Sequence, residues 1–214
     1  MKTLLFILWA SSCWILTAGE IQSPPVKPSC CNSNALSSAP FSETSLYQLD
    51  STWTSANEHQ LKLGELKGKV QVVTMFFAQC EFACPVLIHN MKQIEAALPP
   101  SLRTNVGFVL VSFDTERDTP KVLRTYGEQM QFDTNRWTLL RGSSDDVLEL
   151  AALLGVKFRR DARGQFAHSN IITVLNPAGE VIYQQIGLNQ DVAPTVKAIS
   201  TTACKPQSQQ PGTH

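Results

Sequence analysis

In the stretch FFAQCEFACPVLIHNM two cysteines, Cys80 and Cys84, are separated by three residues where an apolar run gives way to helical spacing. Thiols placed this way can exchange electrons with a disulfide, attack a peroxide or hold a metal ion. Pro85 follows Cys84 directly, which puts Cys84 at or just before a first helical turn and leaves Cys80 in the preceding loop. A thiol at a helix N-terminus faces the positive end of the macrodipole, and that favours its thiolate. Cys84 is therefore expected to be the better nucleophile near neutral pH, whereas the carboxylate of Glu81 is expected to raise the pKa of Cys80. Spacing alone leaves the three chemistries open.

The elements that must position this pair follow from periodicity. VQVVTMFF (residues 70–77) and VGFVLVSF (residues 106–113) are nearly continuous β-branched and aromatic runs, the pattern of strands buried on both faces. Between them VLIHNMKQIEAAL has helical spacing and stops at Pro99-Pro100. PKVLRTYGEQM follows with Asp118 or Thr119 as its cap and Pro120 at the first helical position. SSDDVLELAALLG is a third helix with a Ser cap and Gly155 at its end, IITVLNPAGEVIYQQIG is a hairpin about Asn176, and a last helix covers about Asp191 to Thr202. This order, with a cysteine pair at the first strand-to-helix junction, predicts an α/β thioredoxin-like sandwich of three layers.

In such a fold the residue before the strand SNIITVL faces the cysteine loop, at a place where thiol oxidoreductases carry a cis-proline. Here it is His168, and the nearest proline is Pro177, beyond the strand. Two sulfurs and one imidazole nitrogen form a soft set of few ligands; thiolates select Cu(I) and imidazole helps the same site accept Cu(II). A structural zinc site would want a fourth protein ligand, and no candidate is visible. Copper, as Cu(I) and Cu(II), is the expected metal. His89, inside the first helix, and His59, in a polar stretch, are expected to play no ligand role.

The chain has 214 residues, 43% hydrophobic and 17% charged, which suits one globular domain with tails. Lys plus Arg and Asp plus Glu number 18 each, so no global field draws the chain to nucleic acid. Residues 1–19 carry one Lys, an apolar stretch and small residues ending at Gly19, the order of a secretory signal peptide, with an uncleaved N-terminal anchor as the alternative. Export to the periplasm, free or attached to the membrane, is expected. Residues 20–45 read as a flexible Ser- and Pro-rich tether, 46–203 as the folded domain and 204–214 as a polar tail. Without Cys13 the mature chain keeps five cysteines, so at least one is unpaired, shared with another molecule or on a metal, and four lie in vicinal or near-vicinal pairs that do not staple a domain across long loops. Cys30, Cys31 and Cys204 receive no role.

Three blocks carry a resemblance: FFAQCEFACPVLIHNMKQIE, VLVSFDTERDTPKVLRTYGEQM and HSNIITVLNPAGEVIYQQIGL resemble the signature blocks of the Sco/SenC family, and SLYQLDSTWT resembles its opening strand segment. The family consists of exported copper chaperones for cytochrome c oxidase assembly. The resemblance implies that Cys80, Cys84 and His168 ligate copper. It also implies that the thioredoxin-like fold carries an added β-hairpin and that copper is delivered to oxidase subunit II; another exported copper protein is the alternative recipient, and a monomer is expected. Glu81 departs from the family pattern, which often has Pro after the first cysteine. Asp114 and Asp118 belong on this reading to the site's surroundings or its docking surface; on the plainer one Asp118 caps the following helix. The cationic loop KFRRDARG, leading to His168, either steers toward an acidic partner or is simply solvated. Thiol-disulfide reduction would leave His168 idle, and the Pro-x-x-x-Thr-x-x-Cys surroundings of a peroxiredoxin-like peroxidase are missing.

Overall fold

A computed structural model describes residues 41–162 and 164–203. The segments expected to be a signal or anchor, most of the expected tether, the expected tail and Cys30, Cys31 and Cys204 lie outside them. The chain divides into two units, Met1–Ser38 and Ala39–His214, and every described residue falls in the second.

The elements run β1 (Trp53–Ser55), β2 (Gln60–Leu61), β3 (Val70–Phe76), α1 (Ala83–Ala97), β4 (Val106–Ser112), α2 (Pro120–Gln129), β5 (Trp137–Arg141) and α3 (Ser144–Leu153). They continue with β6 (Phe158–Arg160), β7 (Phe166–His168), β8 (Ile171–Leu175), β9 (Val181–Ile186) and α4 (Ala193–Ala203). Seven strands form one sheet in the order β2-β1-β5-β4-β3-β8-β9, and β6 pairs only with β7. The segment β4-β3-β8-β9, with α1 crossing between the parallel β3 and β4 and α4 following β9, is the thioredoxin-like α/β plan. Every residue of β3 and β4 is buried, and α1 and α4 pack on each other and on the sheet, so both strands consist of apolar runs without alternation.

The register explains why distant residues meet. β3 and β4 pair in parallel from Val70↔Val106 to Phe76↔Ser112, so their C-terminal ends share one edge of the sheet. β8 runs antiparallel to β3 with Thr74 opposite Ile172, which brings the start of β8 to that same edge. The cysteine loop, the segment after β4 and the residues before β8 converge there.

Two boundaries differ from the sequence reading. α1 begins at Ala83, ahead of Pro85, so Cys84 lies inside the first turn, where a proline is tolerated because its missing N–H would have no partner in the helix. The cationic stretch before His168 is the hairpin β6–β7, and β8 starts only at Ile171. Three-residue strands with largely exposed faces carry no readable period. Among the described residues no helix is long and apolar enough to cross a membrane.

Candidate metal centre

α1 has no side-chain cap at Phe82; instead the Cys84 N–H donates to the Cys80 sulfur at 3.2 Å. The loop carries Cys80 back over the first turn, and its sulfur takes the place an N-cap oxygen would hold. Cys84 is fully buried, while Cys80 is half-buried, and both are free thiols.

His168 ends β7 and is paired across the hairpin with Phe158. Its Nδ1 lies 3.0 Å from the Ser169 carbonyl, to which it donates, and its Nε2 lies 3.7 Å from the Cys84 sulfur. The ring is walled by aromatics: Phe113 at 5.1 Å and Phe77 at 6.2 Å between centroids. Phe113 also stacks on Phe158 at 5.1 Å and meets Phe166 edge-on at 5.0 Å, so one buried side chain joins the end of β4 to both strands of the hairpin. Phe113→Ala is expected to cost about 3–5 kcal/mol in denaturant unfolding. A loss below about 1 kcal/mol would mean that the cluster does not hold the hairpin.

Cys80 Sγ, Cys84 Sγ and His168 thus offer three ligand atoms all within 4.8 Å of one another, the one such group among the described residues. Two metal–ligand bonds of about 2.0–2.3 Å span at most about 4.6 Å, so a small closure lets one soft ion touch all three. His59 and His89 are exposed and lie outside this group.

The reading of Asp118 as a helix cap is corrected. Thr119 caps α2, its Oγ1 accepting from the Val122 N–H. Asp118 instead turns inward, fully buried, and its Oδ2 accepts from the Ala78 N–H at 2.9 Å and the Ser112 hydroxyl at 2.5 Å. It ties the end of β4 to the start of the cysteine loop. Burial pushes its pKa up, partly offset by these two donors. Sequence reasoning missed this because Asp-Thr-Pro before a helix is itself a complete capping signal.

Residues 42–203 match the sequence profile described as SCO1/SenC. The chain belongs to the SCO1/SenC family. A SCO1 protein homolog of Bacillus subtilis (strain 168) is 26% identical over 157 residues, 70% of this chain and 81% of its own length. The crystal structure of a SCO1/SenC family lipoprotein from Bacillus anthracis str. Ames shares 23% identity over 77% of this chain and 99% of its own, with a TM-score of 0.66. That of yeast Sco1 with copper bound shares 21% over 75% and 88%, with a TM-score of 0.61. Both have the same fold as this chain.

Electrostatics in this SCO1/SenC site reverse the expected order of the two thiols. A hydrogen bond from the Cys84 thiol, with further donors from His168 and the Cys84 and Phe82 backbone, outweighs burial and lowers the Cys80 pKa to about 3. The same hydrogen bond, together with burial, pushes Cys84 up. The helix N-terminal amide serves Cys80, not Cys84, and exposed Glu81 does not hold Cys80 up. Burial disfavours a charged His168 ring, yet its hydrogen bonds to the Cys80 sulfur and the Ser169 carbonyl, and the Cys80 charge, leave its pKa raised. The resting site is therefore a Cys80 thiolate bonded by the Cys84 thiol, with His168, its own pKa raised, beside it.

Proposed function

We propose that this SCO1/SenC protein carries copper outside the cytoplasm, binding one ion through Cys80, Cys84 and His168 and passing it to the binuclear copper site of cytochrome c oxidase. The observation that carries this reading is the group of two sulfurs and one imidazole within 4.8 Å at the open edge of the sheet. Softness selects Cu(I) at the sulfurs, and the imidazole admits Cu(II). The copper-bound yeast Sco1 relative supports the choice of metal. Residues 1–19 would direct export, either removed as a signal peptide or kept as an anchor, and 20–45 would tether the domain 46–203, leaving 204–214 as a tail. A lipoprotein relative supports the placement at a membrane surface.

A second reading, reduction of the cysteines of a copper site, is favoured by the asymmetry of the pair. Half-buried Cys80 is the thiolate that attacks a partner disulfide, and buried Cys84 stands behind it to resolve the mixed disulfide.

Metal analysis tests the copper-carrying reading. Purified protein is expected to hold one copper per chain and, as Cu(II), to show a thiolate-to-copper absorption band. Cys80→Ser and Cys84→Ser are each expected to abolish the band, and His168→Ala to remove it while leaving Cu(I) on the two sulfurs. Full copper uptake unchanged by all three substitutions would reject the ligand set.

A further inference from the structure

The segment Asp114–Asp118 between β4 and α2 touches both limbs of the centre. Asp118 holds the cysteine limb through the Ala78 N–H. Arg117 reaches the other limb: its Nη2 donates to the Gly164 carbonyl in the bend between β6 and β7. Its Nε is paired with the Asp114 carboxylate, which is almost wholly buried and also accepts from the Arg117 N–H at 3.2 Å. The guanidinium lies 5.9 Å from the Phe166 ring centroid, so the same group caps an aromatic of β7.

The hairpin needs such a hold. It belongs to no larger sheet, and an isolated two-stranded hairpin is at best marginally stable in water. A second contact, Arg160 to Glu116 at 2.5 Å, is exposed on both sides and so screened by solvent. The Asp114–Arg117 pair is partly dry, and its fork has both ends occupied, one on a carboxylate and one on a backbone carbonyl.

We propose that Arg117, fixed by Asp114, is the positioning residue that latches the β6–β7 hairpin and thereby holds His168 against the cysteine pair. With Asp118 on the other limb, one five-residue segment sets the separation of sulfur and nitrogen. The inference rests on the reading of His168 as a copper ligand, but the latch itself can be tested without metal. The consequence for loading is specific: loss of the latch frees the nitrogen and leaves the sulfurs in place. Cu(I), content with two thiolates, should stay, and the Cu(II) state that needs the imidazole should suffer.

The test uses Arg117→Ala in the full chain. In the metal-free protein the amides of Asp161, bonded to the Gln165 carbonyl, and Ser169, bonded to the Lys157 carbonyl, report on the hairpin. Removing a charge-assisted hydrogen bond should speed their exchange by roughly tenfold or more, with the amides of β3 unchanged. Arg160→Ala, which removes the exposed pair and an equivalent approach to the Phe166 ring at 5.8 Å but leaves the Arg117 bond to Gly164, should change them much less than Arg117→Ala does. After loading, Arg117→Ala should keep one Cu(I) and lose most of the thiolate-to-Cu(II) band. Unaltered exchange at Asp161 and Ser169, equal acceleration in β3, or an equal effect of Arg160→Ala would overturn the latch. If instead the parent protein shows no band that depends on His168, the copper reading fails while the exchange arm still decides the latch.

Discussion

Alkylation of the reduced, metal-free protein by iodoacetamide is expected to strike Cys80, at nearly the same rate at pH 6 as at pH 8. An ordinary thiol, with its pKa at 9.0, loses nearly a hundredfold in thiolate between those values. Cys80 is lowered to about 3 by the Cys84 thiol, against the cost of burial, so its ionisation does not change in that window. Cys84 is fully buried and pushed up, so it should stay unlabelled throughout. Mass spectrometry of the labelled peptide assigns the site, and a rate series fixes the profile. Labelling first at Cys84, or a rate at Cys80 that climbs with pH as for a free thiol, would sink the assignment of the resting thiolate. Cys84→Ser, which keeps a donor in place of the thiol, should preserve a low pKa at Cys80 better than Cys84→Ala.

A comparable effect is expected in the pH dependence of copper affinity. In the resting site Cys84 carries a proton because its pKa is raised, and His168 carries two below its own raised pKa. Ligands must be deprotonated to bind, so Cu(I), where the imidazole joins the two thiolates that suffice to hold it, displaces one proton from Cys84 and one from the His168 ring, and none from Cys80. At any pH below the ordinary histidine value of 6.5 the imidazole is mostly protonated, because its shift is upward. Affinity should then fall about a hundredfold for each unit of acidification, one factor of ten for each proton displaced. His168→Ala removes one of the two protons, and its slope should drop to about tenfold for each unit. Competition against a Cu(I) chelator of known proton dependence, repeated from pH 5 to pH 6.5, reads both slopes. Affinity independent of pH would place the ion away from these residues. A parent slope equal to that of His168→Ala would remove His168 from the Cu(I) ligand set while leaving the cysteines in it.

Much of the frame was legible in the sequence because it rests on local signals. The unbroken apolar runs became β3 and β4, Thr119 with Pro120 opened α2, and Ser143 with Asp146 formed a capping box for α3. Gly155 follows α3 with a positive φ of 69°, and the Asn176 turn joins β8 to β9. The convergence of Cys80, Cys84 and His168 was also accessible, since the β3-to-α1 junction and the residues before β8 lie at one edge of a thioredoxin-like sheet.

By itself, then, the sequence determined the thioredoxin-like plan and the residues that meet at its edge, because periodicity, caps and turns act over a few neighbouring positions. Tertiary structure alone decided how those residues behave. Which cysteine is the thiolate depends first on the hydrogen bond from the Cys84 thiol to Cys80, with the Cys84 N–H as a further donor, reversing what the helix dipole suggests for Cys84. Whether Asp118 caps α2 or braces the cysteine loop depends on Ala78, forty positions away, offering its N–H to a buried carboxylate. The hairpin that presents His168 has too few buried positions to announce itself and exists through Phe113 and Arg117, which reach it from the end of β4 and the segment beyond. Proton positions and ring orientations are set by donors from separate segments, and no spacing along one chain encodes a hydrogen bond between segments that only folding brings together.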